Sequence, residues 1–172
     1  MIDMKKLEFI LVRKNGHNNE TLIDSYVETL KKLFFDHKPE KLNHELESLI
    51  LKNFNNELYL VFYEGVPIGI TGLYWGNEED VCWYNWFGVL KEYRKHGFGK
   101  EIFSFTINLA KQSFKGIRLY TDDSCDIAIY YLYEKFFDFK ERIGDTIIYS
   151  KSFSKEFHMN CYGKIPLGLY EN

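Results

Sequence analysis

The sequence has 172 residues, of which 45% are apolar and 27% are charged, and its formal net charge at pH 7 is −3. This balance is typical of a single globular domain and argues against disorder. No run of Lys and Arg is long enough for a nucleic-acid-binding arm, and no apolar run is long enough to span a membrane.

Three cysteines, Cys82, Cys125 and Cys161, form no Cys-x-x-Cys pair, and the five histidines are scattered along the chain. An odd number of separate thiols is typical of reduced cysteines in a cytoplasmic protein. Because no zinc-ligand spacing occurs, we expect no metal site. The first residues lack the apolar stretch of a signal peptide, which also favours a cytoplasmic location.

The N-terminal part of the chain predicts a strand and two helices. Leu7 to Val12 alternates weakly, as a strand does. From Thr21 to Phe34 the apolar residues recur at helical spacing, and Pro39 marks the end of this helix. A second helix is predicted from Lys41 to Asn53.

Two β-runs follow, Leu58 to Tyr63 and Val66 to Tyr74, and only Glu64-Gly65 separates them. A two-residue connection that contains Gly favours a β-hairpin. A further strand is predicted from Val81 to Val89, after the acidic turn Gly76 to Asp80.

A basic turn with two glycines, Arg94-Lys95-His96-Gly97-Phe98-Gly99-Lys100, leads into a run with helical spacing from Ile102 to Phe114. Glycine lets the backbone approach an anion without a Cβ in the way, and a helix N-terminus adds partial positive charge. A strand, a basic glycine turn and a helix in this order predict a phosphate-binding turn. The alternative is an ordinary strand-to-helix turn whose glycines serve tight geometry alone.

The C-terminal part predicts a short strand from Ile117 to Thr121, a helix from Asp126 to about Phe137 and a last strand from Arg142 to Lys151. Gly144-Asp145 interrupts the last strand as a bulge or a tight turn. The order of elements is that of a mixed α/β domain around one sheet. Residues 153–172 form a C-terminal extension of unknown role, which either folds back on the domain or packs on a partner.

The turn and the order of elements resemble those of the GNAT family of N-acetyltransferases. The family's acetyl-CoA-binding pattern is Q/R-x-x-G-x-G/A, and Arg94 to Gly99 fits it at each fixed position. The resemblance covers about Leu7 to Ser152, so we expect a single GNAT domain over residues 1–152, α/β in class, with a splayed sheet flanked by helices. It implies acetyl-CoA as the co-substrate, an amine acceptor, neither nucleic acid nor membrane as a partner, and a homodimer, the family's commonest assembly.

By this resemblance, the backbone N–H groups from Lys95 to Lys100 hold the CoA pyrophosphate, while Arg94 fixes the turn or reaches a phosphate. Backbone groups of Phe87 and Val89 pair with the pantetheine arm, because an unpaired strand edge offers partners for its amides. The alternative is a plain central strand whose groups are all paired. The expected cofactor-binding residues are Phe87, Val89, Arg94, Lys95, His96, Gly97, Phe98, Gly99, Lys100 and Asp126.

Asp126 to Lys135 resembles the family's second motif, N-x-x-A-x-x-x-Y-E-K-x-G-F, with Asp126 in place of the Asn, Ile129 in place of the Ala, and Tyr133-Glu134-Lys135 intact. In the family this Tyr protonates the leaving thiolate, a task that the pKa of a phenol suits. Tyr133 is therefore the expected general acid, with Tyr130 and Tyr131 as rivals and a core aromatic position as the alternative. The Gly that follows in the family motif is missing here, so the helix should end differently.

The family often places the general base, a Glu or Asp, on the strand before the turn, and Trp83 to Phe87 contains none. The expected bases are Glu79, just before this strand, and Asp122, after the next one. Further carboxylates open to the same role are Glu78, Asp80 and Asp123. The residues expected to shape the acceptor pocket are Tyr84, Asn85 and Trp86.

The resulting hypothesis is an acetyl-CoA-dependent N-acetyltransferase that acts on a primary amine by direct attack. The acceptor would be a small cationic amine or an amine of a peptide or protein. The missing strand carboxylate and the altered helix end also suit an alternative, a catalytically degenerate CoA-binding or interaction module of the GNAT fold. A nucleotide-binding phosphotransferase is disfavoured, because the sequence has no G-x-x-x-x-G-K-[ST] loop.

Overall fold

A computed structural model describes residues 6–34, 55–122 and 127–161. Its helices are α1 (Ile23–Phe34), α2 (Phe98–Ser113) and α3 (Ile127–Phe136). Its strands are β1 (Glu8–Lys14), β2 (His17–Asn18), β3 (Asn56–Tyr63), β4 (Val66–Glu78), β5 (Val81–Tyr84), β6 (Gly88–Val89), β7 (Gly116–Thr121), β8 (Phe139–Ile143) and β9 (Thr146–Ser152). The sequence predictions that lie outside the described residues are the second helix (Lys41 to Asn53), Pro39, Asp123, Cys125 and Asp126.

The strands form an open sheet in the order β2-β1-β3-β4-β5-β7-β9-β8, and β6 pairs with β4. β5 runs parallel to β7, but it pairs with that strand only from Val81 to Trp83. The next strand along the chain, β6, pairs with β4 instead. This change of partner makes the sheet a splayed one. The predicted mixed α/β fold with a splayed sheet is confirmed.

The described residues fall into two compact units. Residues 6–34, 55–74 and 85–106 form the first unit, and residues 75–84, 107–122 and 127–161 form the second. Strand β4 and helix α2 contribute residues to both units. In the parts of the chain that the structure describes, no helix is long and apolar enough to cross a membrane.

Helix α1 provides much of the core of the first unit. Its apolar residues at positions 23, 26, 27 and 30 are buried, and the spacing i, i+3, i+4, i+7 places them on one helical face. This face packs against side chains of β1, β3 and β4. The cluster consists of Val12, Ile23, Tyr26, Val27, Leu30, Leu58, Leu60 and Ile70. Each fully buried aliphatic side chain of such a cluster contributes roughly 1.5–3 kcal/mol to folding.

Several elements differ in extent from the sequence prediction. Strand β4 continues to Glu78, so Gly76 to Glu78, which were predicted as part of an acidic turn, belong to the strand. The strand from Val81 to Val89 is interrupted at residues 85–87, because the Asn85 N–H donates to the Gly72 carbonyl at 2.9 Å and its side-chain oxygen accepts from the next N–H at 2.8 Å. The last strand is a hairpin, β8–β9, whose turn contains Gly144 with a φ of 61°. Helix α2 begins at Phe98, four residues before the predicted start.

A buried arginine, Arg118 on β7, organises the second unit. Its guanidinium makes two bonds to the Glu78 carboxylate, at 2.7 and 3.0 Å, and one to the Ser150 hydroxyl at 2.8 Å. It also donates to the backbone carbonyls of residues 158 and 159, both at 2.6 Å, and lies 4.5 Å from the centre of the Phe157 ring. A Cβ at Gly116 would lie 2.2 Å from that ring, so only glycine fits there. Residues 153–161 are thus in direct contact with β7.

Substitution of the buried arginine tests this organisation. Arg118→Met should lower the free energy of unfolding by about 3–5 kcal/mol, because it leaves the Glu78 carboxylate without its cation. Urea denaturation of the purified protein measures the loss. Lys115→Met is the matched control, since it removes exposed ion pairs with Asp80 and Glu156 and should have a much smaller effect. Equal losses in the two variants would contradict the central role of the buried pair.

Candidate active site

The chain between β6 and α2 turns through two residues with left-handed backbone. A 3₁₀ turn, Lys91–Tyr93, comes first. Lys95 then has a φ of 67° and Gly97 a φ of 82°, and α2 begins at the next residue. The left-handed region costs a residue with a Cβ roughly 1–2 kcal/mol, whereas glycine adopts it freely. Gly97 therefore meets the conformational demand of this turn.

The backbone N–H groups of Lys95 through Lys100, named here the N–H turn, have no acceptor among the residues that the structure describes. The first N–H beyond them, that of Glu101, donates to the Gly97 carbonyl at 3.3 Å. Successive N–H groups in a turn with left-handed residues form a concavity that binds anions, and the N-terminus of α2 adds positive potential. The backbone of this segment is therefore suited to a phosphate group.

Positively charged side chains surround the N–H turn. Lys95 and Lys100 are exposed, and neither forms a salt bridge with a carboxylate in the described ranges. His96 is also exposed, and its ring lies 5.8 Å from that of Phe98. Arg94 differs, because its Nε donates to the carbonyl of residue 89 at 2.8 Å. Arg94 thus joins the turn to the end of β6, while the two lysines supply mobile charge.

Aromatic rings pack against one another beneath the side chains of the N–H turn and the 3₁₀ turn before it. The Phe98 ring lies 4.8 Å from the Tyr63 ring, and the Tyr93 ring lies 6.4 Å from it. Both rings pack on a buried apolar cluster. That cluster consists of Leu7, Val61, Ile68, Val89 and Ile102. The N–H turn is therefore supported by close-packed side chains.

The N–H and carbonyl groups of Val89 point away from β4, although the residue lies opposite Gly69 of that strand. Gly88 pairs with Ile70, and the Leu90 N–H donates to the Ile68 carbonyl at 2.7 Å, so residues 88 and 90 face β4. Main-chain groups alternate in direction along an antiparallel pair, so those of Val89 face the opposite side. Its carbonyl accepts the arginine side chain of the turn. Its N–H is directed to the side where no described strand pairs with β6.

Two glycines allow β6 to lie close to its neighbours in the first unit. A Cβ at Gly69 would lie 2.5 Å from the Gly88 carbonyl oxygen. A Cβ at Gly88 would lie 3.0 Å from both terminal methyl groups of Leu33. The Phe87 ring, just before β6, packs edge-on against Phe103 of α2 at 5.4 Å. The end of β6 is therefore in close contact with β4, with α1 and, through Phe87, with α2.

The residues predicted to bind the acceptor are distributed over both units. Asn85 and Trp86 belong to the first unit, and the Trp86 ring lies 4.9 Å from the ring of Phe34 at the end of α1. Phe34 is 43% exposed, so this ring pair presents aromatic surface to solvent. Tyr84 ends β5 in the second unit and is buried. The contact between the exposed Phe34 and the partly buried Trp86 is one that sequence spacing alone did not reveal.

Tyr133 lies half buried on α3. Its ring is 5.5 Å from that of Tyr149 and 6.5 Å from that of Phe137. The Phe137 N–H donates to the Tyr133 carbonyl at 3.0 Å, so the end of the helix closes regularly without the family's glycine. Of the two rival tyrosines, Tyr131 is 67% exposed, and the Tyr130 hydroxyl accepts a hydrogen bond from a lysine at 2.8 Å.

Glu134 attaches α3 to the β8–β9 hairpin. Its Oε1 accepts hydrogen bonds from Lys140 Nζ at 3.1 Å and from the Tyr149 hydroxyl at 3.0 Å. Hydrogen bonds from Tyr130, Lys140 and Tyr149 lower the pKa of the Glu134 carboxyl group. Burial and the same carboxylate raise the pKa of Tyr149. The family motif drew attention to this glutamate, but its partners come from two later strands and could not be read from spacing.

The two predicted general bases, Glu79 and Asp122, lie at opposite ends of β7. Glu79 stands in the turn before β5, whose residue Val81 pairs with Gly116, the first residue of β7. Asp122 follows Thr121, the last residue of that strand. A strand of six residues spans about 18 Å, so the two exposed carboxylates cannot serve the same point.

The neighbouring carboxylates are already engaged. Glu78 is paired with the buried Arg118, and Asp80 forms a salt bridge of 3.2 Å with Lys115. Within residues 6–34, 55–122 and 127–161, no group of His, Cys, Asp or Glu side chains is arranged to hold a metal ion.

Comparison with known proteins identifies a matching family and similar structures. The model of the Acetyltransferase (GNAT) family matches residues 22–139. An acetyltransferase of the GNAT family from Staphylococcus aureus Mu50 is similar in structure, with a TM-score of 0.66, 17% identity and alignment over 87% of this chain and 100% of that chain. A GNAT family acetyltransferase from Elizabethkingia anophelis, with acetyl-CoA bound, gives a TM-score of 0.57, 16% identity and coverage of 85% and 97%.

A structure from Pyrococcus horikoshii aligns with 81% of this chain at 18% identity and a TM-score of 0.60, and this chain spans about half of that protein, 47%. No curated protein sequence matches the chain.

The dependence of Tm on pH in the acidic range tests the network around Glu134. Its pKa is lowered in the folded protein, so its ionised form stabilises the fold above the unfolded pKa of about 4.3, and this contribution is lost as the pH falls through the folded pKa. We therefore expect the difference in Tm between the wild type and Glu134→Gln to shrink as the pH falls from about 5 to 3. Circular dichroism melts measure this difference, and a constant value over the range would contradict the assignment.

Proposed function

The chain belongs to the GNAT family of acetyltransferases, and we propose that it transfers the acetyl group of acetyl-CoA to a primary amine by direct attack of that amine. Acetyl-CoA supplies an activated thioester when it is bound. The observation that carries the proposal is the N–H turn, whose backbone donors have no acceptor in the described part of the chain. The Elizabethkingia anophelis protein of the same fold has acetyl-CoA bound, which supports this choice of co-substrate.

The residues of the N–H turn fit a pyrophosphate. A Cβ at Gly99 would meet only the Phe87 ring, at 3.8 Å, and one at Gly97 would meet nothing within 4 Å, so there is space beside both glycines. The side chains of Lys95 and Lys100 can add charge-assisted hydrogen bonds, which are stronger than neutral ones. The N–H of Val89 would then bind an amide carbonyl of the pantetheine arm. Phe87, His96 and, by the family motif, Asp126 complete the proposed cofactor site.

Tyr133 is the proposed general acid. Its hydroxyl would donate a proton to the CoA sulfur as the thioester bond breaks. The amine nitrogen would form the new bond to the carbonyl carbon of the acetyl group. A phenol suits this task, because its pKa of about 10 is close to that of a thiol, about 8.5. The support from the structure is the packing of its ring against Tyr149 and Phe137, which restricts where the hydroxyl can lie.

Asp122 is better placed than Glu79 to act as the general base. It follows the end of β7 from which the chain continues toward α3 and Tyr133, whereas Glu79 lies at the other end of that strand. An exposed carboxylate can accept the proton of the ammonium group directly or through water. Glu79 remains the second candidate.

The residues proposed to bind the acceptor are Tyr84, Asn85 and Trp86. The aromatic surface of Trp86 and Phe34 can hold an ammonium group through cation–π attraction, which favours a small cationic amine or a lysine side chain. A degenerate CoA-binding module is the second candidate, because both proposed bases are exposed rather than buried next to an acceptor site. Release of free thiol that depends on an added amine distinguishes the enzyme from such a module.

Substitution of Gly99 tests the pyrophosphate site. Gly99→Glu should abolish acetyl-CoA binding without unfolding the protein, because the position has room for a side chain but a carboxylate there repels phosphate. Calorimetric titration measures the binding. Gly99→Gln is the matched control, with equal bulk and no charge, and it should retain weaker but measurable binding. An unchanged affinity in Gly99→Glu would overturn the assignment.

Substitution of Tyr133 tests the general acid. Tyr133→Phe should lower kcat by roughly 10²-fold while acetyl-CoA binding stays nearly unchanged, because only the proton donor is removed. Thiol release with a panel of amines gives kcat, and calorimetry gives the affinity. Tyr131→Phe serves as the control and should keep the wild-type kcat. Full activity in Tyr133→Phe would assign the acid role to another group.

A further inference from the structure

A polar network at the surface attaches helix α3 to the β8–β9 hairpin. Tyr130 and Glu134 lie one helical turn apart on α3, Lys140 lies on β8, and Tyr149 lies on β9. Lys140 Nζ donates to the Tyr130 hydroxyl at 2.8 Å and to Glu134 Oε1 at 3.1 Å, and the Tyr149 hydroxyl donates to the same oxygen at 3.0 Å. The ammonium group also lies 4.9 and 5.8 Å from the centres of the two tyrosine rings. Glu134 is thus the common acceptor of the network.

Tyr149 connects this network to Tyr133. It is only 1% exposed, and while its hydroxyl is bonded to Glu134, its ring lies 5.5 Å from the Tyr133 ring. Phe137 completes a group of three rings, at 5.9 Å from Tyr149 and 6.5 Å from Tyr133. The carboxylate that fixes the Tyr149 hydroxyl therefore also fixes the surface on which the Tyr133 ring packs.

These contacts help to hold helix α3 in position. It has ten residues, a length at which an isolated helix is marginal in water. Its residues Ile127 and Tyr131 are 69% and 67% exposed, so that face contributes little packing within the described structure. A displacement of about 1 Å at a reacting group lowers a rate by roughly 10²-fold. A small rotation of α3 would therefore reduce catalysis by Tyr133.

We infer that Glu134 is a positioning residue for Tyr133, an inference that rests on the proposed function of that tyrosine. In this inference Glu134 acts through its hydrogen-bond partners rather than on the reacting groups. It accepts the hydrogen bonds of Lys140 and Tyr149 and thereby sets the orientation of α3 and the location of the Tyr133 hydroxyl. This positioning requires an oxygen that accepts hydrogen bonds at the end of the side chain of residue 134. An amide oxygen can therefore replace the carboxylate.

A pair of variants tests the inference. Glu134→Met keeps the length of the side chain but removes the acceptor, whereas Glu134→Gln retains an acceptor oxygen. We expect kcat to fall about tenfold in Glu134→Met, with the KM for acetyl-CoA within about twofold of the wild type, and to stay within about threefold in Glu134→Gln. An unchanged kcat in Glu134→Met, or a loss expressed only in KM, would overturn the inference.

A double-mutant cycle separates positioning from a general structural effect. If Glu134 acts through the Tyr133 hydroxyl, Glu134→Met should cause no further loss of kcat in a Tyr133→Phe background. The same tenfold loss in both backgrounds would show that Glu134 supports the fold in general, and the inference would fail. Melting curves of all variants, with assays kept well below each Tm, exclude partial unfolding as the cause.

A spectroscopic readout tests the positioning without turnover. With 3-fluorotyrosine incorporated at position 133, the ¹⁹F resonance should shift and broaden in Glu134→Met and return toward the wild-type signal in Glu134→Gln. A resonance unchanged in Glu134→Met would overturn the inference even if acetyl transfer is confirmed. Conversely, the expected change in a protein without acetyl-CoA turnover would support the positioning and refute the proposed function.

Discussion

The backbone at the start of α2 has a row of N–H groups without an acceptor among the described residues, and the construction of the first unit follows from that constraint. The first N–H groups of a helix have no intrahelical acceptor, and because this segment is largely exposed, its donors are available to water or to a ligand. Gly97 supplies the left-handed conformation, and Arg94 joins the turn to the end of β6. The rings of Tyr93 and Phe98 seat the turn on Tyr63. An anion can therefore bind without a large rearrangement.

The second unit depends on two charged networks that differ in burial. Arg118 has no exposed surface and is satisfied by Glu78, Ser150 and backbone carbonyls, so its loss would leave partly buried partners unpaired. Glu134 and Lys140 are both substantially exposed, and solvent screens their attraction. The second network therefore contributes less to stability than the buried one, and its main effect is on geometry. It fixes the direction of a short helix that carries the proposed general acid.

The elements that follow from local rules were predicted well. Helical spacing revealed α1, the Glu64-Gly65 connection revealed the β3–β4 hairpin, and the glycines with their basic neighbours revealed the turn before α2. The interruption between β5 and β6 was not predicted, because the apolar pattern from Val81 to Val89 is continuous. It arises from the hydrogen bonds of Asn85, which involve a carbonyl on β4 and so depend on the tertiary fold.

By itself, the sequence determined the order of the elements, the position of the N–H turn and the family, because each depends on residues close together in the chain. Only the tertiary structure decided which groups meet. It gave Glu134 its partners on β8 and β9, placed Glu79 and Asp122 at opposite ends of β7, and paired Trp86 with Phe34. Spacing along the chain contains no information on such contacts, because they are set by strand register and by the packing of side chains from distant segments.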